Sequence, residues 1–383
     1  MRLRRRKNSE IRIMVLEQLH LLHFKNHKGS DLTFGTQVNC LVGDNGSGKT
    51  NVLDAVHYLC HTKSYFNAVD AQNISHGEDF MLIQGSFQRN ELLERVSCAV
   101  EKSVKKVFRR NDKAYDRLAE HVGRFPAVMI APDDAALIHE GSAMRRKWLD
   151  SVISQFDRVY LNHLIDYNKA LNQRNMLLRY FGENRKWDES ALEPWDAQIA
   201  PLAVYIRSKR AEFLNDFVPE FQSTHADITG GVEEVGMAYQ SEVEVEEAGF
   251  LAQLKAAQGE DRRLRRSSMG IHKDDIRFEL GSYPLKRFGS QGQQKSFLIA
   301  LRLSQLSYIE KATGVKPILL LDDIFDKIDE KRVQALMRRV TDGAFGQVFI
   351  TDTDLGRIPT MFRQTGAEVR VFEVKSGEVS PKA

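Results

Sequence analysis

The amino-acid sequence predicts an α/β protein whose core is divided by a mostly helical insertion. Strand patterns occur toward both ends of the chain, in residues 15–42 and 275–350, while helical periodicity dominates residues 142–260. Within residues 38–60, an apolar strand, a glycine-rich loop and an amphipathic helix follow one another directly. No heptad pattern is sustained anywhere, so the sequence excludes a long coiled coil.

Composition and charge indicate an ordinary globular chain and name no partner. The 383 residues, at about 100–200 per domain, allow two or three domains. Lys and Arg total 55 against 52 Asp and Glu, which gives a net charge of +3. The total charge is too small to predict a nucleic-acid partner, although local basic clusters could still attract one. Cys40, Cys60 and Cys98 form no CxxC pair, which argues against disulfides or a zinc ribbon and favours a reducing, cytoplasmic compartment. No apolar run approaches the ~18 residues of a membrane span, so we expect no membrane anchor.

Residues 1–13 form a basic extension with six Lys or Arg side chains. They contain no apolar segment of the kind that a secretory signal requires. The extension is either a mobile basic arm or a dispensable segment, and periodicity places the start of the fold near Met14.

From Met14 onward, periodicity predicts the elements in order. Two strands joined by a turn near residues 26–30 come first, and a buried strand follows at Val38–Val42. Further strands are expected at residues 81–87, 96–100, around 107, 275–280, 318–321 and 348–350, and helices at 49–60, 142–181 (two in succession), 195–217, 291–312 and 329–341. We therefore expect an α/β domain of residues 14–125 and 265–383 around a mostly helical lobe of residues 126–264.

A phosphate-binding loop lies between the buried strand and the first helix, where the sequence matches GxxxxGK[ST]. Its glycines let backbone N–H groups wrap a phosphate, and the helix N-terminus adds partial positive charge. We expect Lys49 to reach the β and γ phosphates of a nucleotide and the Thr50 hydroxyl to bind Mg²⁺. The candidate nucleotide-binding residues of the loop are Gly43, Asp44, Asn45, Gly46, Ser47, Gly48, Lys49 and Thr50.

Two acidic residues follow the apolar strand Ile318–Leu321. Burying a carboxylate without a partner is costly, so acids at the end of a core strand indicate a cation or a catalytic task. We assign Asp322 to Mg²⁺ and Asp323 to polarising an attacking water.

A second anion-binding segment opens the helix expected at residues 291–312. Ser290 and Gln293 have the spacing of a capping box. A capping box does not explain Gly292, since a first-turn glycine weakens a helix by up to ~1 kcal/mol. Bare backbone at a helix N-terminus can seat an anion, so Ser290 and Gly292 are candidate phosphate contacts.

Together these motifs resemble the ATPase heads of the ABC class. The resemblance rests on Gly43–Thr50, Ser290–Gln294, Leu320–Asp323 and Asp329. It implies ATP and Mg²⁺ as ligands and a head-to-tail homodimer. In such a dimer, Ser290 and Gly292 of one protomer would close over the γ-phosphate held by the other.

Within that class the chain resembles the RecF family of bacterial recombination mediators from Met14 onward. The matching segments are Leu22–Asn26, Pro132–Asp133, Arg145–Asp150, Gln173–Asn175 and Gly270–Asp275. The resemblance places Lys25 and Asn26 near the nucleotide. It leaves Gln72 and Gln84 as two candidates for a glutamine that lines Mg²⁺.

The resemblance also implies a function in recombinational repair and replication-fork maintenance. An ATP-induced dimer would bind DNA at gaps or junctions and, with RecO and RecR, promote loading of RecA onto single-stranded DNA. A weak, DNA-stimulated ATPase would act as the timer. Motor-type heads carry Glu where this chain has Asp323, one methylene shorter, so we expect slow hydrolysis.

Basic residues cluster at 102–113, 145–147 and 262–266. No aromatic residues alternate with them, so backbone contacts to duplex DNA are favoured over base stacking. Each cluster could instead be an ordinary solvated face. If six to ten phosphates are neutralised, affinity should fall by roughly 10³–10⁵ between 50 and 200 mM salt.

Three other functions fit the sequence less well. A chromosome-organising ABC-type head, the main alternative, needs a long coiled coil where this chain has about 120 residues of helical insertion. A transporter cassette would require membrane partners. A small-molecule kinase with a phosphate-binding loop has no use for the Ser290 segment.

Overall fold

The computed structural model describes residues 12–324, 345–354 and 366–382, together with Gly356 and Phe362. The strands of these ranges are β1 (Met14–Phe24), β2 (His27–Thr33), β3 (Val38–Val42), β4 (Phe80–Arg89), β5 (Leu92–Glu101), β6 (Val107–Arg110), β7 (Lys113–Ala114), β8 (Ala127–Ile130), β9 (Val235–Gln240), β10 (Asp275–Leu280), β11 (Tyr283–Pro284), β12 (Ile318–Leu321), β13 (Val348–Asp352), β14 (Val369–Lys375) and β15 (Glu378–Lys382). Their α-helices are α1 (Lys49–His61), α2 (Ala136–His139), α3 (Ser142–Ser154), α4 (Arg158–Asn184), α5 (Glu193–Thr229), α6 (Glu247–Ala256), α7 (Gln258–Leu264), α8 (Leu285–Phe288) and α9 (Gln291–Thr313). Asp329, the helix expected at 329–341 and residues 1–11 of the basic extension lie outside the described residues.

The chain divides into two compact units. The first comprises residues 1–134, 227–231 and 295–383, and the second comprises residues 135–226 and 232–294. These limits differ from the boundaries at 126 and 265 that the sequence favours. The difference has a physical reason: β8 pairs with β12 in the first unit, and β10 pairs with β9 in the second.

The first unit contains two six-stranded sheets. One is antiparallel, in the order β2-β1-β4-β5-β6-β7, and the other has the order β15-β14-β3-β13-β12-β8. In the second sheet all pairs are parallel except β14 with β15. Helix α1 contacts strands of both sheets, and its buried face belongs to one continuous apolar core with them. Strands β3, β8 and β12 are fully buried, which explains why β8 and β12 are continuous apolar runs and why Asn39 is the one polar residue of β3.

The parallel arrangement of β3, β12 and β13 positions the candidate site. Register pairs Leu321 with Ile350, and Asp352 with Val42. The carboxyl ends of the three strands therefore meet at one edge of the sheet, where ligand sites of open α/β sheets form. The phosphate loop, the two acids after β12 and the end of β13 share this edge.

The second unit combines helices α2–α8 with the small antiparallel sheet β11-β10-β9. Helices α3, α4 and α5 cover the expected ranges, although α5 continues beyond residue 217 to Thr229. The shorter helices α2, α6, α7 and α8 and the strands β9 and β11 do not appear in the sequence prediction. Two fully buried arginines, Arg174 and Arg210, form ion pairs with aspartates in this unit, so losing either partner would leave an uncompensated buried charge. None of the helices in the described ranges is both long and apolar enough to cross a bilayer.

Candidate functional site

The phosphate loop has the backbone that its glycines predict. Gly46 and Gly48 have φ angles of 78° and 117°, a region that side-chain-bearing residues rarely adopt. The N–H of Ser47 donates to the carbonyl of Asp44 at 3.1 Å, which closes the turn. Helix α1 begins directly at Lys49. The loop and the first turn of α1 therefore form the concave backbone surface of an anion site.

Lys49 is held against the loop. Its Nζ donates to the carbonyl oxygens of Gly43 at 2.7 Å and Asp44 at 2.9 Å. Its side chain is only 4% exposed. The ammonium group is therefore fixed beside the loop, where it adds a full positive charge to the partial charge of the helix N-terminus.

Thr50 and Asp322, 272 residues apart in the chain, lie in direct contact. The Thr50 hydroxyl donates to Asp322 Oδ1 at 2.8 Å, and the Thr351 hydroxyl donates to the same oxygen at 2.9 Å. Burial raises the pKa of Asp322, while the two hydroxyl donors oppose this shift. A hydroxyl and a carboxylate oxygen are the ligand types that Mg²⁺ prefers in nucleotide sites.

Asp323 lies half-buried beside this pair in an unusual backbone conformation. Its φ is 44°, in the left-handed region, which an Asp tolerates better than most residues. Its N–H donates to the Thr351 hydroxyl at 2.9 Å. Thr351 thus links Asp322 to Asp323, and it orients both acids at the edge of the sheet.

Two residues at the β1–β2 turn hydrogen-bond to carbonyls of the phosphate loop. Asn26 Nδ2 donates to the carbonyl of Ser47 at 3.0 Å, and Asn26 Oδ1 accepts from Asn51 Nδ2 at 2.7 Å. His27 Nε2 lies 3.1 Å from the carbonyl of Gly48, and burial lowers the pKa of His27. A neutral imidazole can donate to that carbonyl without adding a second charge to the site.

Lys25 lies in the same turn but forms a buried ion pair. Its Nζ is 2.6 Å from Oδ2 of Asp54, a fully buried residue of α1. The same carboxylate accepts from the Ser64 hydroxyl at 2.6 Å and the Tyr65 N–H at 2.7 Å. In this structure Lys25 fixes the turn against α1, so Asn26 is the residue of the pair that touches the loop.

Ser290 and Gln293 form the capping box that the sequence predicts. The Ser290 N–H donates to Gln293 Oε1 at 2.8 Å, and the Gln293 N–H donates to Ser290 Oγ at 3.3 Å. Ser290 is exposed at the start of α9, and Gly292 lies half-buried in its first turn. The division between the units falls within α9, after Gln294. Ser290 and Gly292 therefore belong to the second unit, and the phosphate loop belongs to the first.

Many residues of the basic clusters are used in internal contacts. Arg145 makes a bidentate pair with Asp275, at 2.7 and 3.0 Å. Lys106 lies 2.9 Å from Asp70, and Arg263 donates to Glu260 at 2.7 Å. These groups stabilise the fold and add little net charge to the surface.

The site residues fit a nucleotide with a bound magnesium ion. The Ser47 hydroxyl is buried and has no hydrogen-bond partner among the described residues, which leaves a donor in the loop for a phosphate oxygen. Within the same residues, no group of three or more His, Cys, Asp or Glu could hold a metal alone. A site with Thr50 and Asp322 as protein ligands matches the usual Mg²⁺ arrangement, in which substrate phosphates supply further oxygens.

Comparison with known proteins identifies the family. Residues 15–379 match the family described as RecF/RecN/SMC N terminal domain. The DNA replication and repair protein RecF of Flavobacterium johnsoniae is 46% identical over 361 residues, which cover 94% of this chain and all of that protein. The chain belongs to the RecF family. RecF of Phocaeicola vulgatus is 43% identical, with 96% of this chain and 99% of that protein covered.

Solved structures agree with the RecF assignment. A structure described as the recombination mediator protein RecF-ATP in the RecFOR pathway matches with a TM-score of 0.89 and 26% identity, covering 98% of this chain and 100% of that chain. An Smc head domain from Pyrococcus furiosus matches with a TM-score of 0.55 and 16% identity, covering 97% of each chain. The second match shows the fold alone, which confirms the predicted ABC-type head.

Two of the RecF-like motifs have structural roles in the second unit. Arg174 Nη1 donates to Asp261 at 2.6 Å, and Asn175 Oδ1 accepts from the Ser267 N–H at 2.7 Å. Arg210 Nη1 donates to Asp274 at 2.7 Å. The Gln173–Asn175 and Gly270–Asp275 segments are thus parts of buried polar networks, in which removing one partner is costly.

Sequence reasoning missed three residues of the site: His27, Thr351 and Gly377. Thr351 lies beside Asp322 because β13 is parallel to β12 and next to it in the sheet, an order of strands that the sequence does not show. His27 directly follows Asn26 and is fully buried, an unusual state for histidine. The Gly377 N–H donates to the Ser47 carbonyl at 2.8 Å, a contact that depends on a turn distant in the chain, so Gly377 carries no sequence signal of its own.

Replacing Asp322 by Asn is expected to stop ATP turnover while sparing ATP binding, and to raise the melting temperature without nucleotide or Mg²⁺. Asn retains Oδ1 as the acceptor for Thr50 and Thr351 but removes a carboxylate whose ionised form is disfavoured by burial. Turnover should fall by about 100-fold or more, since a metal's charge stabilisation is worth several kcal/mol. Calorimetry in EDTA and a phosphate-release assay measure the two effects.

Asp323→Asn is the matched control, because it changes the neighbouring half-exposed acid. It should lose turnover without any gain in melting temperature. An Asp322→Asn protein that melts below the wild type would show that the carboxylate charge stabilises the fold, contrary to this account.

Proposed function

We propose that this chain is an ATP-dependent DNA-binding protein of recombinational repair and replication-fork maintenance. ATP would induce a head-to-tail homodimer that binds DNA at gaps or junctions, and slow hydrolysis would reopen it. The observation that carries the proposal is the contact of Thr50 with Asp322, which joins the phosphate loop to the acidic strand end.

The residues of the loop would bind and orient the triphosphate. Lys49 would exchange its bonds with the loop carbonyls for phosphate oxygens, while Ser47 and the backbone N–H groups would donate to the others. Asn26 and His27 keep the carbonyls of Ser47 and Gly48 engaged on the outer side. The chain's own contribution is positioning and electrostatic stabilisation, the main source of catalysis in phosphoryl transfer.

Thr50 and Asp322 would hold Mg²⁺, which would neutralise charge on the phosphates. Asp323 would accept a hydrogen bond from the attacking water. Because the Asp323 side chain is one methylene shorter than the Glu of motor-type heads, we expect slow hydrolysis that times the opening of the dimer. Thr351 would position Asp323 through the bond from the Asp323 N–H.

Ser290 and Gly292 would complete the site of a second protomer. The exposed Ser290 hydroxyl and the partial positive charge at the N-terminus of α9 are features of the kind that bind anions. Closure over the γ-phosphate held by the partner would make ATP part of the dimer interface. Differential binding of ATP to the closed form would then drive dimerisation.

Partners follow from the family. The solved relative is described as a recombination mediator in the RecFOR pathway, which supports RecO and RecR as partners. Loading of RecA onto single-stranded DNA would be the product of the assembly. The chromosome-organising alternative is supported only by similarity of fold, at 16% identity.

Exposed basic residues without an ion-pair partner among the described residues occur in all three clusters, and one group of them lies at the β6–β7 edge of the first unit. Lys105, Arg109 and Lys113 are exposed on and beside β6 and β7, and none of them has an ion-pair partner in the described part of the chain. Lys106 and Arg110, in the same cluster, are paired with Asp70 and Glu94. The three unpaired side chains at this edge are therefore free to neutralise phosphates and release counterions from a DNA backbone.

Changing Lys105, Arg109 and Lys113 together to Gln is expected to weaken binding to a gapped duplex regardless of its sequence. Each lost phosphate contact should reduce the slope of log K against log salt by about 0.9, or roughly 3 in all. Fluorescence anisotropy over 50–200 mM salt, with ATP present, would measure the slope.

Arg263→Gln is the control, since Arg263 is already neutralised by Glu260. It should leave the slope unchanged. A wild-type affinity that is nearly independent of salt would contradict the proposed backbone contacts, and an unchanged slope in the triple variant would exclude this edge.

A further inference from the structure

The turn between β14 and β15 lies directly against the phosphate loop. Strand β14 is parallel to β3, with Glu373 paired to Val42, so it ends where the loop begins. The turn that follows contains Gly377, whose φ is 85°. This turn, residues 376–377, contacts the loop through backbone atoms.

Ser47 is the point of attachment. Its carbonyl accepts from the Gly377 N–H at 2.8 Å and from Asn26 Nδ2 at 3.0 Å. Two donors, one from each of two different turns, therefore fix a single carbonyl of the loop. The Ser30 hydroxyl lies 3.4 Å from the Gly377 carbonyl and connects β2 with the same turn.

The fit requires glycine at both contact points. A Cβ on Gly377 would lie 2.2 Å from the Asn26 carbonyl oxygen, and a Cβ on Gly43 would lie 2.2 Å from the Val374 carbonyl oxygen. Both obstacles are backbone atoms, which cannot rotate away as a side chain can. The turn, the loop and the β1–β2 turn are thus in backbone-to-backbone contact.

The direction of the Ser47 carbonyl matters for an anion site. A loop binds phosphate only if its N–H groups face the ligand and its carbonyl oxygens face away, because a carbonyl oxygen repels an anion. Peptide units in glycine-rich loops can rotate at low cost. Holding the Ser47 carbonyl with two donors favours the orientation that binds phosphate before the ligand arrives.

We propose that the β14–β15 turn, through Gly377, is a positioning element for nucleotide binding that fixes the Ser47 peptide in its phosphate-binding orientation. The proposal rests on the proposed binding of ATP. Gly377 touches no substrate in this arrangement and acts through Ser47. Asn26 holds the same carbonyl independently, so the two contacts should be energetically coupled.

The test compares Gly377→Ala with Gly77→Ala. Gly77 has a φ of 88°, matching Gly377, but no atom lies within 4 Å of the Cβ it would acquire. Both glycines have a left-handed φ that disfavours a side chain, and only Gly377→Ala disturbs the contact with the loop. ATP binding is measured by titration calorimetry, and folding by the melting temperature without nucleotide.

We expect Gly377→Ala to weaken ATP binding by about tenfold relative to Gly77→Ala, the effect of one lost hydrogen bond. The melting temperature of each variant without ATP reports the structural cost separately. Equal ATP affinities in the two variants would overturn the proposal. A wild-type protein that does not bind ATP would overturn the proposed function as well.

A double-mutant cycle distinguishes positioning from general loosening. Asn26→Ala removes the second donor to the Ser47 carbonyl. If both contacts fix one peptide, the double variant should differ from the sum of the single effects on ATP affinity, as interacting sites do. Strict additivity would show that the two contacts do not act on the same peptide and would contradict the proposal.

Wild-type hydrogen exchange keeps the proposal testable if Gly377→Ala does not fold. Saturating ATP should slow exchange in the peptide that covers residues 372–380 together with the loop, because the turn and the loop are ordered as one unit. Protection of the loop without any change at residues 372–380 would refute the coupling.

Discussion

A Lys49→Met protein is expected to lose ATP binding by about 100-fold or more, because bonds from a charged donor to phosphate are worth roughly 1.5–3 kcal/mol each. Lys49 is buried, and its Nζ lies between two carbonyls at the mouth of the loop. Met has a similar length and apolar stem, so packing along α1 should be retained. Calorimetric titration with ATP and Mg²⁺ measures the loss.

Lys28→Met is a suitable control, since Lys28 is an exposed lysine of β2. It should bind ATP like the wild type. If Lys49→Met retained affinity within about threefold, the loop would not be the phosphate site, because even one neutral hydrogen bond is worth about that much.

The second large effect is expected from Ser290→Arg, which should bind ATP normally yet fail to dimerise with it. Ser290 is exposed, so an arginine can be accommodated in the monomer without displacing core residues. In a head-to-tail dimer the same side chain would project into the partner's nucleotide site and block closure. Sedimentation velocity with ATP separates monomer from dimer, and calorimetry confirms ATP binding.

Loss of the helix cap alone must be distinguished from this block, because removing an N-cap costs about 1 kcal/mol. Asp157→Ala provides the control: Asp157 caps α4 by accepting from the Tyr160 N–H at 2.9 Å. That variant should dimerise with ATP. A Ser290→Arg protein that dimerises like the wild type would exclude Ser290 from the interface.

The sequence was sufficient for the local parts of the site. A glycine loop between an apolar strand and a helix is recognisable from local sequence, and the structure has that strand, loop and helix in the expected order. The capping box at Ser290 is equally local and was confirmed. Two acids after Ile318–Leu321 indicated the strand end that meets the loop, since parallel strands place their carboxyl ends together.

Contacts between distant segments could not be predicted in this way. Thr351 hydrogen-bonds to both acids, and the Gly377 N–H donates to the Ser47 carbonyl. Both contacts arise because β13 and β14 lie on either side of β3 in the sheet. The ion pairs of the basic clusters could not be predicted for a similar reason: Arg145 and Lys106 are neutralised by Asp275 and Asp70, which are distant in the chain. Strand β9 was not predicted because it forms by pairing with β10, which lies further along the chain.

The most direct test of the central claim is sedimentation velocity of the wild-type chain with and without ATP, in the presence and absence of a gapped duplex. The account predicts a monomer without nucleotide, a dimer with ATP, and a faster-sedimenting dimer–DNA complex when ATP and the duplex are both present. A chain that remains monomeric with saturating ATP and DNA would contradict it, as would a dimer that forms equally well without ATP.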